Sequence, residues 1–289
     1  MDDRGDYALL AFAVVCVSCS APLVAAATAP ALALAFWRTG AAALVLGPFA
    51  LVRREAITRR GLGLSVFAGC LLAAHFGTFL PSLKYTSVAS SSALVCSQAV
   101  FAGVFGRLLG ERQPRRAWFG TAICLAGVLM VTGVDASLDS RALLGDVLAL
   151  AGGVFGGAYI VTGGFARRDL STVNYTSLCY GVCGVLLLVV CLVSGAAVTG
   201  FSAADWARIA ALTVLGQLLG HSLMNFVLRS ISPTIVSLAV LFTVPGATLI
   251  AALTIGQSPP IETVPAMALL LAGTAIVISA RERAPARAP

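Results

Sequence analysis

A chain of 289 residues that is 59% apolar and only 11% charged, where an average soluble domain carries about 25% charged residues, has too little polar surface to coat a water-soluble globule. It belongs in a bilayer. Its formal charge of +7 invites a nucleic-acid reading, but the basic residues are dealt out over many short connections rather than gathered in one patch, so no nucleic acid is expected as a partner.

Taken in chain order, apolar runs of about 18–22 residues, long enough to cross the hydrocarbon core as helix, fall near residues 7–25, 31–52, 61–80, 86–107, 116–134, 144–164, 173–195, 205–227, 234–255 and 263–280. The fold class is an all-α membrane protein of ten transmembrane helices. The connections hold too few residues for an aqueous domain. Asp2, Asp3 and Asp6 beside Arg4 do not make the positive start of a secretory signal, so the first span is read as retained. The cysteines, eight in all, lie inside the spans, where they act as small hydrophobes. Cys16-Val-Ser-Cys19 has the spelling of a redox or metal pair but no second pair, His or acid beside it, and no cofactor or metal is expected.

With the N-terminus inside, fifteen of the 19 Lys and Arg fall on the cytoplasmic side, among them Arg53-Arg54, Arg59-Arg60, Arg115-Arg116 and Arg167-Arg168. Lys84, Arg141 and Arg208 fall opposite, and Arg38 lies within a span. This positive-inside bias predicts both termini in the cytoplasm.

The chain repeats itself. His75, Leu83-Lys84, Gly110-Glu111 and Leu125-Ala126-Gly127 return in the same order as His221, Leu228-Arg229, Gly256-Gln257 and Leu271-Ala272-Gly273, and Gly5-Asp6 returns as Gly145-Asp146. Residues 1–139 and 140–289 therefore form two repeats of five spans. Five is odd, so the second repeat enters from the other face: the repeats are inverted, about a pseudo-twofold axis in the membrane plane. The basic connection Glu111-Arg112-Gln113-Pro114-Arg115-Arg116 against its Arg-free counterpart Gln257-Ser258-Pro259-Pro260-Ile261-Glu262 agrees. Inverted repeats around a central cavity are the geometry of alternating access, which an enzyme does not need.

On Leu83-Lys84-Tyr85-Thr86-Ser87 leading into a Ser/Ala-rich span, the Gly110-Glu111-Arg112 exit, the Gly127 helix and their second-half versions, the whole chain resembles the drug/metabolite transporter superfamily in its EamA branch. The resemblance implies a central cavity lined chiefly by the third, fourth, eighth and ninth helices, with the first and sixth contributing. It also implies export of small metabolites, including neutral and aromatic amino acids.

Polar atoms inside spans should face such a cavity. The substrate-binding candidates are His75, Phe76 and Phe79 on the third span, Ser97 and Gln98 on the fourth, Tyr159 on the sixth, and Gln217, His221 and Asn225 on the eighth, the last three spaced as one helical stripe. Thr234, Ser237, Pro245 and Thr248 make a stripe on the ninth, and Pro81, Pro233 and Pro245 mark local breaks. Arg38 either snorkels to the interface beside Trp37 or anchors a substrate carboxylate. Gly152-Gly153 and Gly156-Gly157 set two small-residue strips for close helix packing. The expected partners are the lipid bilayer and a small solute, an amino acid or similar metabolite, with a monomer sufficient for the task. The expected mechanism is facilitated diffusion across the cell inner membrane. A proton-coupled drug or metabolite exporter is the alternative, through the two histidines; a membrane-embedded enzyme is the second, and lacks an evident nucleophile or acid cluster.

Overall fold

The computed structural model describes residues 3–53, 55–109, 114–227 and 239–282. Helices α1 (Gly5–Ala26), α2 (Ala31–Arg53), α3 (Arg59–Ser82), α4 (Val88–Leu108), α6 (Ser140–Asp169), α7 (Thr172–Ser194) and α8 (Ala203–Val227) are each long and apolar enough to cross a membrane. So are α5 (Arg115–Leu138) and α10 (Thr263–Glu282). The shorter apolar α9 (Ala239–Ile255) brings the apolar helices among the described residues to ten. Gly110-Glu111-Arg112, Leu228-Arg229, Pro233, Thr234 and Ser237 lie outside the described residues.

Helix starts follow local chemistry. Thr58, Ser87, Ser171 and Ser202 each accept a bond from the backbone N–H three residues on, at 2.9, 2.9, 3.4 and 3.1 Å, which satisfies an otherwise orphaned donor of α3, α4, α7 and α8. Asp139, extended between α5 and α6, caps Arg141 N at 2.8 Å. Large apolar side chains point outward: Leu51, Val52, Val193 and Leu253 are 79, 81, 85 and 77% exposed. In water such a surface would be an aggregation site; here it is the lipid face.

Packing obeys a twofold exchange of the repeats. Equivalent helices meet as α5 with α10, α2 with α7, and α4 with α9, while α3 with α6 is matched by α8 with α1. Gly127 and Gly273, equivalent in sequence, both sit in the α5–α10 contact: a Cβ on Gly127 would stand 2.5 Å from Leu270 N, and one on Gly273 would stand 2.7 Å from Gly120 O. The Gly256-Gln257 signal also acquires a purpose. Gly256 ends α9 with φ of 65°, a left-handed conformation that glycine adopts without a Cβ penalty. The Gln257 amide oxygen then accepts from Val88 N at 2.9 Å, so the end of α9 caps the start of α4.

Among the described residues, three of these helices are interrupted. In α1 the break falls at Cys19, because Pro22 has no N–H for the Ser18 carbonyl and its ring crowds that turn. In α4 it falls at Cys96 and Ser97, where Ser97 Oγ takes the Leu94 carbonyl at 2.6 Å. In α9 it falls at Phe242, below Pro245. Phe242 stands in the second repeat where Cys96 stands in the first, so one interruption is written twice. Pro81, by contrast, sits in the last turn of α3 and breaks nothing. In α8, residues Leu212–His221 wind as a π-helix.

Candidate functional site

The interruptions surround a cavity of about 470 Å³, within the roughly 300–1,000 Å³ typical of small-molecule sites. Of the residues read as candidates, Arg38, His75, Phe76, Phe79, Gln98, Tyr159, His221 and Asn225 border it. The helices expected from the resemblance all contribute, and α2 adds Arg38 and α10 adds Ile278. Ser18, Ser20, Ser92, Met224 and Thr243 border it too. Ser18, Ser20 and Thr243 are legible only from the break positions of α1 and α9, and Ser92 only as one more serine of a Ser-rich run.

His75 is fixed on α3 by its Nδ1–H donating to Gly152 O at 2.8 Å. A carbonyl can only accept, so the neutral ring carries its proton on Nδ1 and keeps Nε2 as an acceptor. The ring stacks on Phe79 at 5.8 Å, while Phe76 meets His75 at 5.0 Å and His221 edge-on at 6.1 Å. The two equivalent histidines thus converge on one aromatic ring.

The four glycines of α6 let this happen. Gly152 faces α3, Gly153 and Gly157 face α4, and Gly156 faces both. A Cβ on Gly152 would lie 3.0 Å from Phe79 Cβ, and one on Gly157 would lie 2.7 Å from Ala102 N. One on Gly156 would lie 2.5 Å from Gln98 Oε1 and 2.9 Å from His75 Nδ1. Gly156 therefore holds open the place where these two side chains meet.

Arg38 does not snorkel. It is 1% exposed, its Nε and Nη2 donate to Gln217 Oε1 at 3.1 and 2.9 Å, and its guanidinium lies 4.4 Å from the centroid of the Phe76 ring, a cation–π contact. The interfacial position belongs to Trp37 alone, which donates Nε1–H to Val198 O at 2.8 Å and packs on Trp206 at 5.1 Å.

Two candidates sit behind the wall. Gln217 is turned to Arg38 because the π-turn bonds residues five apart, as in Ser222 N–H to Gln217 O; the stripe laid out for 3.6 residues per turn does not survive it. Ser97 spends its hydroxyl on its own helix. So do Thr243 and Thr248, at 2.7 and 2.8 Å, while Ser82 and Ser91 pair at 2.6 Å across the α3–α4 turn.

Beyond the Ser20–Ala21 end, the α1–α2 connection is tied down. Asp205 accepts from Thr28 N at 3.1 Å, Thr28 Oγ1 at 2.5 Å and Ala29 N at 3.0 Å, and pairs with Arg208 at 2.9 Å. Lys84 Nζ donates to Val24 O at 2.7 Å and to Ala27 O. Desolvation draws the Lys84 pKa below the ordinary lysine value; Asp205 acts against this and Arg208 with it. This latch joins α1, α2, the α3–α4 turn and α8 on the face opposite the N-terminus. Asp205→Asn removes the charge that holds three donors, at a cost of roughly 1.5–3 kcal/mol for bonds to a charged group. The expected result is a lower Tm in detergent and faster thiol labelling of a cysteine placed at Ser20; unchanged values for both would contradict the latch.

Comparison with known proteins agrees with this architecture. The EamA-like transporter family profile matches residues 6–133 and 143–279. An uncharacterized transporter of Archaeoglobus fulgidus is 28% identical over 116 residues, spanning 39% of this chain and 40% of the relative. One solved crystal structure superposes with a TM-score of 0.67 at 17% identity, covering 98% of this chain and 100% of that one, a likeness of fold. With residues 6–133 and 143–279 matched, the chain belongs to the EamA-like transporter family, in the drug/metabolite transporter superfamily.

Proposed function

We propose that the protein is an alternating-access exporter of small organic solutes, carrying neutral amino acids with large apolar or aromatic side chains down their own gradient. The observation that carries this reading is the cavity on the pseudo-twofold, whose wall joins polar groups (Arg38, His75, Gln98, His221, Asn225) to aromatic ones (Phe76, Phe79, Tyr159). A carboxylate held by Arg38, an amine met by neutral acceptors and a bulky side chain fit that combination. Paired breaks in α4 and α9 give each repeat its own flexible point, and exchange of the two packings would turn the cavity from one face to the other. The basic residues favour cytoplasmic termini. On this reading the latch of Asp205 and Lys84 closes the outer face.

Counterflow of labelled phenylalanine in liposomes holding the purified protein tests this. His221→Ala and Asn225→Ala are expected to lower the initial rate about tenfold, the effect of losing roughly 1.4 kcal/mol of solute contact, with folded yield unchanged. Movement of sugars or nucleotides instead of amino acids would overturn the assignment. Flux that follows an imposed pH gradient would replace facilitated diffusion by proton coupling through the two cavity histidines.

A further inference from the structure

Arg38 is the one formally charged residue bordering the cavity among the described residues, and no Asp or Glu borders it there. A buried cation ordinarily has an acid beside it. Here the guanidinium is oriented by a neutral amide, Gln217 Oε1, which takes two of its N–H groups without neutralising its charge. Gly216 admits this arrangement: a Cβ there would stand 3.2 Å from Arg38 Nη2 and 2.5 Å from Ser20 Oγ. Ser20 and Ser92 both border the cavity, and their buried hydroxyls have no hydrogen-bond partner among the described residues. The site thus offers a fixed positive fork, the Ser20 hydroxyl near it, the Ser92 hydroxyl on the same cavity and an aromatic floor in Phe76. Those are the parts of a carboxylate receptor. For an ammonium group the cavity wall offers neutral acceptors, such as His75 and Gln98, but no acid among the described residues. A zwitterion would bring a second positive charge into a low-dielectric chamber with no acid to receive it, whereas a bare carboxylate leaves the chamber neutral.

Resting on the reading of this cavity as the solute site, we propose that the carrier selects its solute by the carboxylate alone. Aromatic and apolar monocarboxylates that lack the amine bind at least as tightly as the corresponding amino acids, and amines that lack the carboxylate are excluded. Arg38 makes the contact, and Gln217 positions it.

Calorimetric binding to the purified protein, with phenylpropionate, phenylalanine and phenethylamine as probes, tests this apart from transport. Phenylpropionate is expected to bind as well as phenylalanine or better, and phenethylamine at least about tenfold more weakly, the loss of one charge-assisted contact. Arg38→Gln should weaken phenylpropionate binding about tenfold or more and remove the ranking. Gln217→Glu keeps the arginine but neutralises it in place, and should do the same in a chain that retains the Arg38 contact. Equal binding of phenethylamine and phenylpropionate, binding of none of the three, or an unchanged ranking in both folded variants overturns the proposal. If the ranking holds but labelled phenylalanine does not exchange across liposomes, the carboxylate site stands and the transport assignment for amino acids falls.

Discussion

Gly127→Leu and Gly273→Leu are each expected to abolish accumulation of folded protein in the membrane. At both positions a side chain would meet backbone, Leu270 N at 2.5 Å in one case and Gly120 O at 2.7 Å in the other, and backbone cannot turn aside as a rotamer can. Lipid offers no hydrophobic drive to hold two helices together once close packing is lost. The α5–α10 contact is one of several that join the two repeats, beside α2–α7, α4–α9 and α3–α6, and its separation strips α5 and α10 of their main partner. The cost lies at or beyond the upper end of the roughly 1–3 kcal/mol that overpacking usually carries. Membrane yield and size-exclusion profile check this. A folded, monodisperse Gly273→Leu protein would show that the close α5–α10 packing is dispensable.

Gly156→Leu is expected to leave the fold and take away transport. Here the groups in the way are the far end of Gln98 and the ring of His75, both at the cavity wall, so the protein yields by moving side chains into the cavity. The added isobutyl group also displaces the ring that Gly152 O holds through Nδ1. Solute counterflow should fall by at least about 100-fold, corresponding to roughly 2.7 kcal/mol, while Tm changes little. Gly156→Ala should fall between the two. Retained counterflow with Gly156→Leu would mean that solute does not pass between α3, α4 and α6.

The spans were legible because about 20 apolar residues have few other uses, and the repeat was legible because the same marks recur around His75 and His221. The glycine strips of α6 were legible as packing, although not that they serve two neighbours, α3 and α4. What could not be read has a physical cause in each case. Arg38 and Gln217 are far apart in sequence, and nothing near Arg38 distinguishes a snorkelling arginine from one received by an amide on another helix. The π-turn of Leu212–His221 has no residue signature, and it shifted Gln217 off the stripe that His221 and Asn225 share. Serine hydroxyls in spans divide between the cavity and their own helix, and neither the residue type nor a nearby break decides which: Ser97 and Ser20 both adjoin a break, yet Ser97 bonds its own helix and Ser20 borders the cavity. Asp6, Asp135, Asp146 and Asp205, all 5% exposed or less, sit at span ends where sequence alone reads an interfacial charge. The Pro22 break was also passed over, because Pro81 and Pro233 carry the same residue and could not be ranked against it.

On the proposed reading, solute crosses by exchange of two packings, with the Asp205 latch open in one of them. Thr28→Cys together with Asp205→Cys, in a chain whose Cys19 and Cys70 are serine, places a disulfide where Thr28 and Asp205 now bond. Labelled phenylalanine counterflow in liposomes should stop on oxidation and return on reduction, with the single-cysteine variants indifferent to both. Counterflow that continues with the disulfide formed would contradict alternating access through this face.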